Sequence, residues 1–160
     1  MWKYLLAILA STGLLLALIN LNGVLTTPKQ ETTAFAGLNE RLQQTFGEHV
    51  TLSALGYATQ EDDGLHINLK EADEALMAFL TAEGAVVEAT AQLSADELTA
   101  IADDVQRDIA SYYNFTMPSA LHLSVTAQPA AQNIQLRTDT ALAPALQKQL
   151  KARYGEVLQF

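Results

Sequence analysis

Residues 67–76 read INLKEADEAL, and residues 134–142 read IQLRTDTAL. In both stretches, apolar and polar residues alternate over four positions, which predicts a half-buried β-strand. In both stretches, an acidic residue and then apolar residues at helical spacing follow the strand. One deletion between strand and helix aligns the two stretches. The match predicts a tandem repeat of one strand–helix junction. The alternative is a chance match, because both pieces obey the same amphipathic rules.

Outward from the two junctions, the spacing of apolar residues predicts the same series of elements in each half of the chain. A capping box at residues 94–97, SADE, marks the start of the longest helix. The first half is predicted to contain a helix at 35–46, strands at 50–57 and 65–70, a helix at 71–83 and a strand at 86–93. The second half is predicted to contain a helix at 94–113, strands at 121–126 and 134–137, a helix at 140–154 and a strand at 156–160.

The order helix, strand, strand, helix, strand (αββαβ) therefore occurs twice. We expect an α+β fold in which the helices of each unit pack on a small mixed or antiparallel three-stranded sheet. The expected boundaries are a transmembrane helix at 1–25, a linker at 26–33, a first unit at 34–93 and a second at 94–160. In topology, such units resemble small domains that build rings in bacterial secretion and sporulation assemblies, and small periplasmic lipid-associated domains. The resemblance concerns element order alone and implies no functional residue.

The N-terminal segment is apolar over a long stretch. No charged residue occurs from Tyr4 to Leu25, and at about 1.5 Å per residue this stretch is long enough to cross a hydrocarbon core of about 30 Å. Because Lys3 lies on the short N-terminal side, we expect a single-pass signal-anchor in the cell membrane, with a cytoplasmic N-terminus and an extracytoplasmic body, periplasmic or extracellular. A signal peptide cleaved after the small-x-small triplet at 34–36 is the alternative.

Small residues within this segment recur at helical spacing. Ala10, Gly13, Ala17 and Asn20 fall on one face of a helix. In a bilayer, small residues let a second helix approach closely, and an Asn side chain can hydrogen-bond across the contact. We therefore predict a helix-packing face here, although Ala and Gly are also common in membrane helices without such a role.

Charge is unevenly distributed along the chain, whose formal net charge is −9. Residues 31–108 carry sixteen acidic residues against three basic ones, whereas residues 109–160 carry two against four. An acidic body is a poor partner for nucleic acid, because phosphate contacts need Lys and Arg. The two oppositely charged portions can attract each other within one chain or between copies. A solvated acidic surface that aids solubility is the alternative interpretation.

The residue types that carry most enzyme chemistry are missing or badly spaced. The chain has no Cys, which excludes thiol nucleophiles and thiolate metal sites. His49, His66 and His122 lack H-x-x-H or H-x-x-x-H spacing, and the acidic turn at 61–63 lacks EF-hand spacing. No nucleophile elbow, Walker motif or dinucleotide fingerprint occurs. We therefore expect no catalytic residue, no cofactor, no metal site and no enzyme activity.

One aromatic cluster follows the longest predicted helix. Tyr112, Tyr113, Phe115 and Met117 lie within six positions. An exposed cluster of this kind is typical of a docking patch for another protein. A hydrophobic plug between the two αββαβ units is the alternative interpretation.

These patterns favour a non-enzymatic, membrane-anchored protein with an extracytoplasmic interaction or assembly domain. The expected partners are the membrane, other membrane or envelope proteins, and further copies of the chain in a homo-oligomer; nucleic acid is not expected. A membrane-tethered domain that binds a lipid or a small apolar ligand is the alternative function.

Overall fold

The computed structural model describes residues 33–116, 118 and 121–160. The anchor expected at 1–25 lies outside these residues. Within the described part of the chain, no helix combines the length and the apolar composition needed to cross a membrane. Residues Ala36–Phe160 form one compact unit. The described chain comprises two lobes, residues 33–93 and residues 94–160.

The two lobes contain the same main elements in the same order, so the α+β expectation is confirmed. The first lobe contains α1 (Thr33–Phe46), α2 (Leu52–Leu55), β1 (Gly56–Glu61), β2 (Gly64–Leu69), α3 (Glu74–Ala82) and β3 (Val86–Glu88). The second lobe contains α4 (Ala95–Tyr112), β4 (Leu123–Gln128), β5 (Asn133–Thr138), α5 (Pro144–Tyr154) and β6 (Leu158–Gln159), with 3-10 turns at Pro129–Ala131 and Gly155–Val157.

Both sheets are three-stranded and mixed, with orders β1-β2-β3 and β4-β5-β6. In each, the first two strands are antiparallel and the third runs parallel to the middle one. Ile67 pairs with Val87 in the first sheet, and Ile134 pairs with Leu158 in the second. Because parallel neighbours need a crossover connection, α3 and α5 have equivalent roles in linking the second strand to the third.

The alternating residues of the two middle strands lie in the core. Ile67, Leu69, Ile134 and Leu136 are each at most 3% exposed, and burial of such a side chain contributes about 1.5–3 kcal/mol. In the second lobe they meet an apolar stripe from α4 and α5. The buried cluster of that lobe consists of Leu98, Ala102, Val105, Ile109, Ile134, Leu136, Leu142, Leu146, Leu150 and Leu158.

The two strand–helix junctions correspond in the structure, but their residues align differently from the sequence match. Leu76 is the third residue of α3, and Leu146 holds that place in α5. The sequence match pairs Leu76 with Leu142 instead, which lies one helical turn before Leu146. Leu142 is buried before α5 begins, and the helix starts at Pro144 because proline suits the first helical position. The connection in the second lobe is therefore the longer one.

Residues 50–57 do not form the strand that their alternation predicts. Thr51 caps a helical turn by accepting a hydrogen bond from the Ala54 backbone N–H at 3.2 Å. The strand begins only at Gly56, where the backbone passes very close to β2, since a Cβ on Gly56 would lie 1.9 Å from the Asn68 carbonyl oxygen. A local side-chain cap thus overrides the period-2 pattern.

The side chain of Gln132 joins the two lobes. Its Oε1 accepts hydrogen bonds from the Gln92 and Leu93 backbone N–H groups, both at 2.8 Å. Its Nε2 donates to the carbonyl oxygens of Leu93 at 3.1 Å and Pro129 at 2.7 Å. The segment that leaves the first lobe is therefore hydrogen-bonded to the hairpin of the second.

A second link uses the predicted capping box, which the structure confirms. The Ser94 backbone N–H donates to Glu97 Oε2 at 2.8 Å, and Lys70 Nζ, at the end of β2, donates to Glu97 Oε1 at 2.5 Å. The Lys70 hydrogen bond, followed by that of the Ser94 backbone, lowers the pKa of the Glu97 carboxyl. One carboxylate therefore accepts hydrogen bonds both at the start of α4 and at the end of β2.

We predict that Gly56→Ala will lower the free energy of unfolding by about 3 kcal/mol, because its Cβ would overlap the β2 backbone. Gly37→Ala is the matched control, since the nearest atom to that Cβ is a side-chain nitrogen of Arg41 at 3.4 Å. Alanine is the better helix former, so the control should be neutral or stabilising by up to about 1 kcal/mol. Urea unfolding followed by circular dichroism measures both; equal stabilities would contradict the close approach of β1 and β2.

Candidate functional site

The β1–β2 hairpin brings together three side chains that can ligate metals. In its register, Glu61 pairs with Gly64 and Thr59 pairs with His66, so Glu61 and His66 are diagonal neighbours on one face. One ligand atom each from Glu61, Asp63 and His66 lies within 4.8 Å of the other two. Apolar spacing alone does not bring the acidic turn and His66 together; the two-residue turn at Asp62 and Asp63 is the sequence signal that does.

An internal ion pair accounts for the geometry of this cluster. His66 Nε2 lies 2.8 Å from Asp63 Oδ1. This hydrogen bond raises the pKa of His66 above its ordinary value and lowers the pKa of Asp63. Two carboxylates and an imidazole are a suitable donor set for a divalent cation. Glu61 and Asp63 are exposed, however, and such acidic groups are common on surfaces, so we make no metal assignment.

The pair predicts a pH dependence. Because the folded-state pKa of His66 is raised, its stabilising contribution is complete below the ordinary value of about 6.5 and is lost as the pH rises through the folded value. The lowered pKa of Asp63 gives a contribution that is lost only as the pH falls through that value. We therefore expect Asp63→Asn to cost more stability at pH 5.5 than at pH 8.5.

NMR titration of the His66 ring checks the same pair directly. In the unmodified chain its pKa should lie above the ordinary histidine value, and in the Asp63→Asn variant it should fall. Asp62→Asn, one position away and without a bond to His66, is the control and should shift it less. An unchanged His66 titration in the Asp63 variant would show that the pair does not form in solution.

The predicted docking patch lies where α4 ends, with Met117 outside the described residues. Tyr113 packs against the core of the second lobe, and its ring lies 5.1 Å from that of Tyr112, nearly perpendicular to it. Tyr112 is 41% exposed and Phe115 is 74% exposed. Tyr113 thus fills the inner side of the cluster, whereas Tyr112 and Phe115 present aromatic surface to solvent.

The backbone at this point is unusual. Asn114 and Phe115 have φ values of 51° and 58°, in the left-handed region. The Asn114 N–H donates to the Ser111 carbonyl at 3.0 Å and the Phe115 N–H to the Ala110 carbonyl at 2.7 Å. In this helix-ending arrangement Asn114 holds the place that is usual for glycine, and Phe115 follows it. Holding an L-residue other than Asn, Asp or Gly in this region costs roughly 1–2 kcal/mol. A large exposed aromatic therefore occupies a position where it is locally unfavourable.

An open cleft of about 590 Å³ lies at the end of the second sheet. β6 pairs with β5 only at Ile134 and Gln135, so the rest of β5 extends past it. The exposed guanidinium of Arg137 takes part in none of the ion pairs found among the described residues. The lining residues are His122, Leu123, Ser124, Leu136, Arg137, Thr138, Asp139, Leu142, Gln147 and Phe160.

The remaining predicted site residues are placed as follows. Ala10, Gly13, Ala17 and Asn20 lie outside the described residues, so the helix-packing face stays a prediction. The cleft is not among the features expected from the sequence, because it depends on how β5 packs against neighbouring elements, which apolar spacing does not predict. No known protein family matches this chain, and no curated protein or solved structure is significantly similar to it.

Proposed function

We propose that this chain is a non-enzymatic, single-pass membrane protein whose extracytoplasmic body is an interaction and assembly domain. The membrane part of the proposal is supported by the uncharged stretch from Tyr4 to Leu25 and by Lys3 before it. The interaction part is carried by one observation, the exposed Phe115 in a left-handed backbone conformation.

Phe115 supports an interaction because the fold of its own chain does not account for it. A phenylalanine that is 74% exposed contributes little burial, and its positive φ is a local cost. Strained residues of this kind cluster at binding and switch sites. A Phe side chain can bury about 150–250 Å² in a contact, and the neighbouring Tyr112 enlarges the surface with a residue type enriched in interfaces.

Among the residues that the structure describes, one ion pair joins the acidic portion of the chain (31–108) to the basic portion (109–160). Arg153 Nη1 donates to both carboxylate oxygens of Asp108, at 2.9 and 2.8 Å. The Tyr154 hydroxyl donates to Asp108 Oδ2 at 2.8 Å, and burial, with this bond, raises the pKa of Tyr154 to about 12. Lys148 is exposed and forms no ion pair among the described residues. It is therefore available to an acidic partner surface.

We further propose that the two lobes are a tandem repeat of one αββαβ unit. The shared topology supports this, as does the equal burial of Ile67 and Ile134 at corresponding places in the two middle strands. Repetition gives an assembly protein two related surfaces in one chain. Such surfaces suit partners that are membrane or envelope proteins, or further copies of the chain.

We expect Phe115→Gly to separate stability from assembly. Glycine is relaxed at positive φ but has greater freedom when unfolded, so the free energy of unfolding should rise or change by less than about 1 kcal/mol. The complex recovered by gentle detergent extraction, and sized by light scattering, should become smaller. Phe46→Leu, at an aromatic in the first lobe that is 36% exposed, is the control and should leave that complex intact.

Two results would contradict the proposal. A complex unchanged by Phe115→Gly, together with a clear loss of stability, would show that Phe115 has a structural role. A strict monomer from the unmodified chain, with bound lipid identified by mass spectrometry, would instead indicate the alternative of a membrane-tethered lipid-binding domain.

A further inference from the structure

The first sheet has an outer face, opposite the core, around His66. Ile67 is buried in the core, so its neighbour His66 lies on the opposite face of the sheet. Cross-strand partners share a face, which places Thr59 and Val86 beside His66. Val86 is 44% exposed, and Glu88, two residues along the same strand, is also exposed. This side of the sheet is therefore accessible to a partner.

Three carboxylates give this face a negative charge. Glu61 and Asp63 each place an oxygen within 4.8 Å of a His66 ring nitrogen, and Glu88 extends the charge to β3. Asp63 pairs with His66, whereas Glu61 and Glu88 take part in none of the ion pairs found among the described residues. These four residues and Val86 are called the His66 face. Its net charge stays negative even when His66 is protonated.

The cations of the first lobe are engaged elsewhere. Residues 33–93 contain two basic residues, Arg41 and Lys70. Arg41 Nη2 lies 2.6 Å from Glu83 Oε2, and Lys70 Nζ lies 2.5 Å from Glu97 Oε1. A cation that neutralises the His66 face must therefore come from outside this lobe.

Helix α5 of the second lobe carries two lysines that face no carboxylate of their own chain. Lys148 and Lys151 are three residues apart, which places them on one side of the helix. Both are exposed, and the ion pairs among the described residues include neither. Lys151 Nζ lies 5.4 Å from the centroid of the Phe160 ring, a contact that supplies no negative charge. Lys148 and Lys151 are called the α5 lysine pair.

We propose that copies of this chain associate by placing the α5 lysine pair of one copy against the His66 face of the next. The two surfaces have opposite charge, and the exposed Val86 gives the lysine methylenes an apolar surface to pack on. Because the two surfaces differ, each copy can bind one neighbour through its face and another through its helix. This inference rests on the proposed assembly function and names a second copy of the chain as the partner.

Charge reversal tests this contact. Glu88→Lys and Lys148→Glu should each weaken self-association at least about tenfold, because like charges then face each other. The two changes move the net charge of the chain in opposite directions, so a general charge effect would weaken one variant and strengthen the other. Both changes in one chain should restore the dissociation constant to within about threefold of the unmodified value. Sedimentation velocity of the full chain in mild detergent, at several protein concentrations, measures it.

Asp103→Lys is the matched control for Glu88→Lys. Asp103 is exposed on α4 and belongs to none of the ion pairs of the described residues, so its reversal should change the dissociation constant by less than about twofold. Circular dichroism melting verifies that each variant is folded. A monomeric unmodified chain, single reversals without effect, or a double variant no better than the single ones overturns the proposed contact.

The protonation of His66 provides a second readout. The groups that face its ring are Glu61 on β1, Asp63 in the turn and Glu88 on β3. At pH 5.5 the protonated ring opposes the incoming lysines, so association should be about two- to fivefold weaker than at pH 8.5. His66→Gln should remove this difference. A pH dependence that persists in that variant would show that His66 is outside the contact.

The outcome for this contact is separable from that for the general function. If a complex with other proteins persists while the chain does not associate with itself, the contact proposal fails and the assembly proposal stands. If the charge reversals behave as expected while Phe115→Gly leaves the complex unchanged, the contact stands and the role of Phe115 in assembly fails.

Discussion

The carboxylate of Glu97 is the group through which the start of the second lobe contacts the end of the middle strand in the first. One oxygen closes the N-terminus of α4 through the Ser94 N–H, and the other accepts from Lys70 at the end of β2. The longest helix of the second lobe therefore begins where the middle strand of the first lobe ends. Gln132 reinforces this arrangement by bonding the preceding residues, Gln92 and Leu93. The Glu97 carboxylate therefore both caps α4 and forms a contact between the two lobes.

Much of the fold follows from residue spacing, because the two middle strands and α4 each keep one apolar face along their length. The alternation at Ile67 and Ile134 predicts both middle strands, and the capping box predicts the start of α4. The features that spacing did not reveal depend on hydrogen bonds or register. Thr51 caps a turn within an apparently alternating stretch, and Glu61 meets His66 only through the hairpin register. The Arg137 cleft depends on how β5 packs against neighbouring elements, which is a tertiary property.

The second lobe concentrates the features that the fold does not explain by itself. Phe115 occupies a backbone conformation better suited to glycine, and Arg137 borders a cleft of about 590 Å³. Lys70, the corresponding cation of the first lobe, is paired with Glu97.

The shortness of β6 has a kinetic consequence. A hairpin such as β4–β5 closes locally within microseconds, whereas a parallel third strand must wait for the crossover helix to dock. With only Leu158 and Gln159 in the ladder, β6 adds few backbone hydrogen bonds, so we expect it to separate from the sheet before the antiparallel hairpin opens. Opening would lengthen the unpaired side of β5 without unfolding the antiparallel hairpin. The lobe therefore has a built-in order of disassembly, with its parallel edge released first.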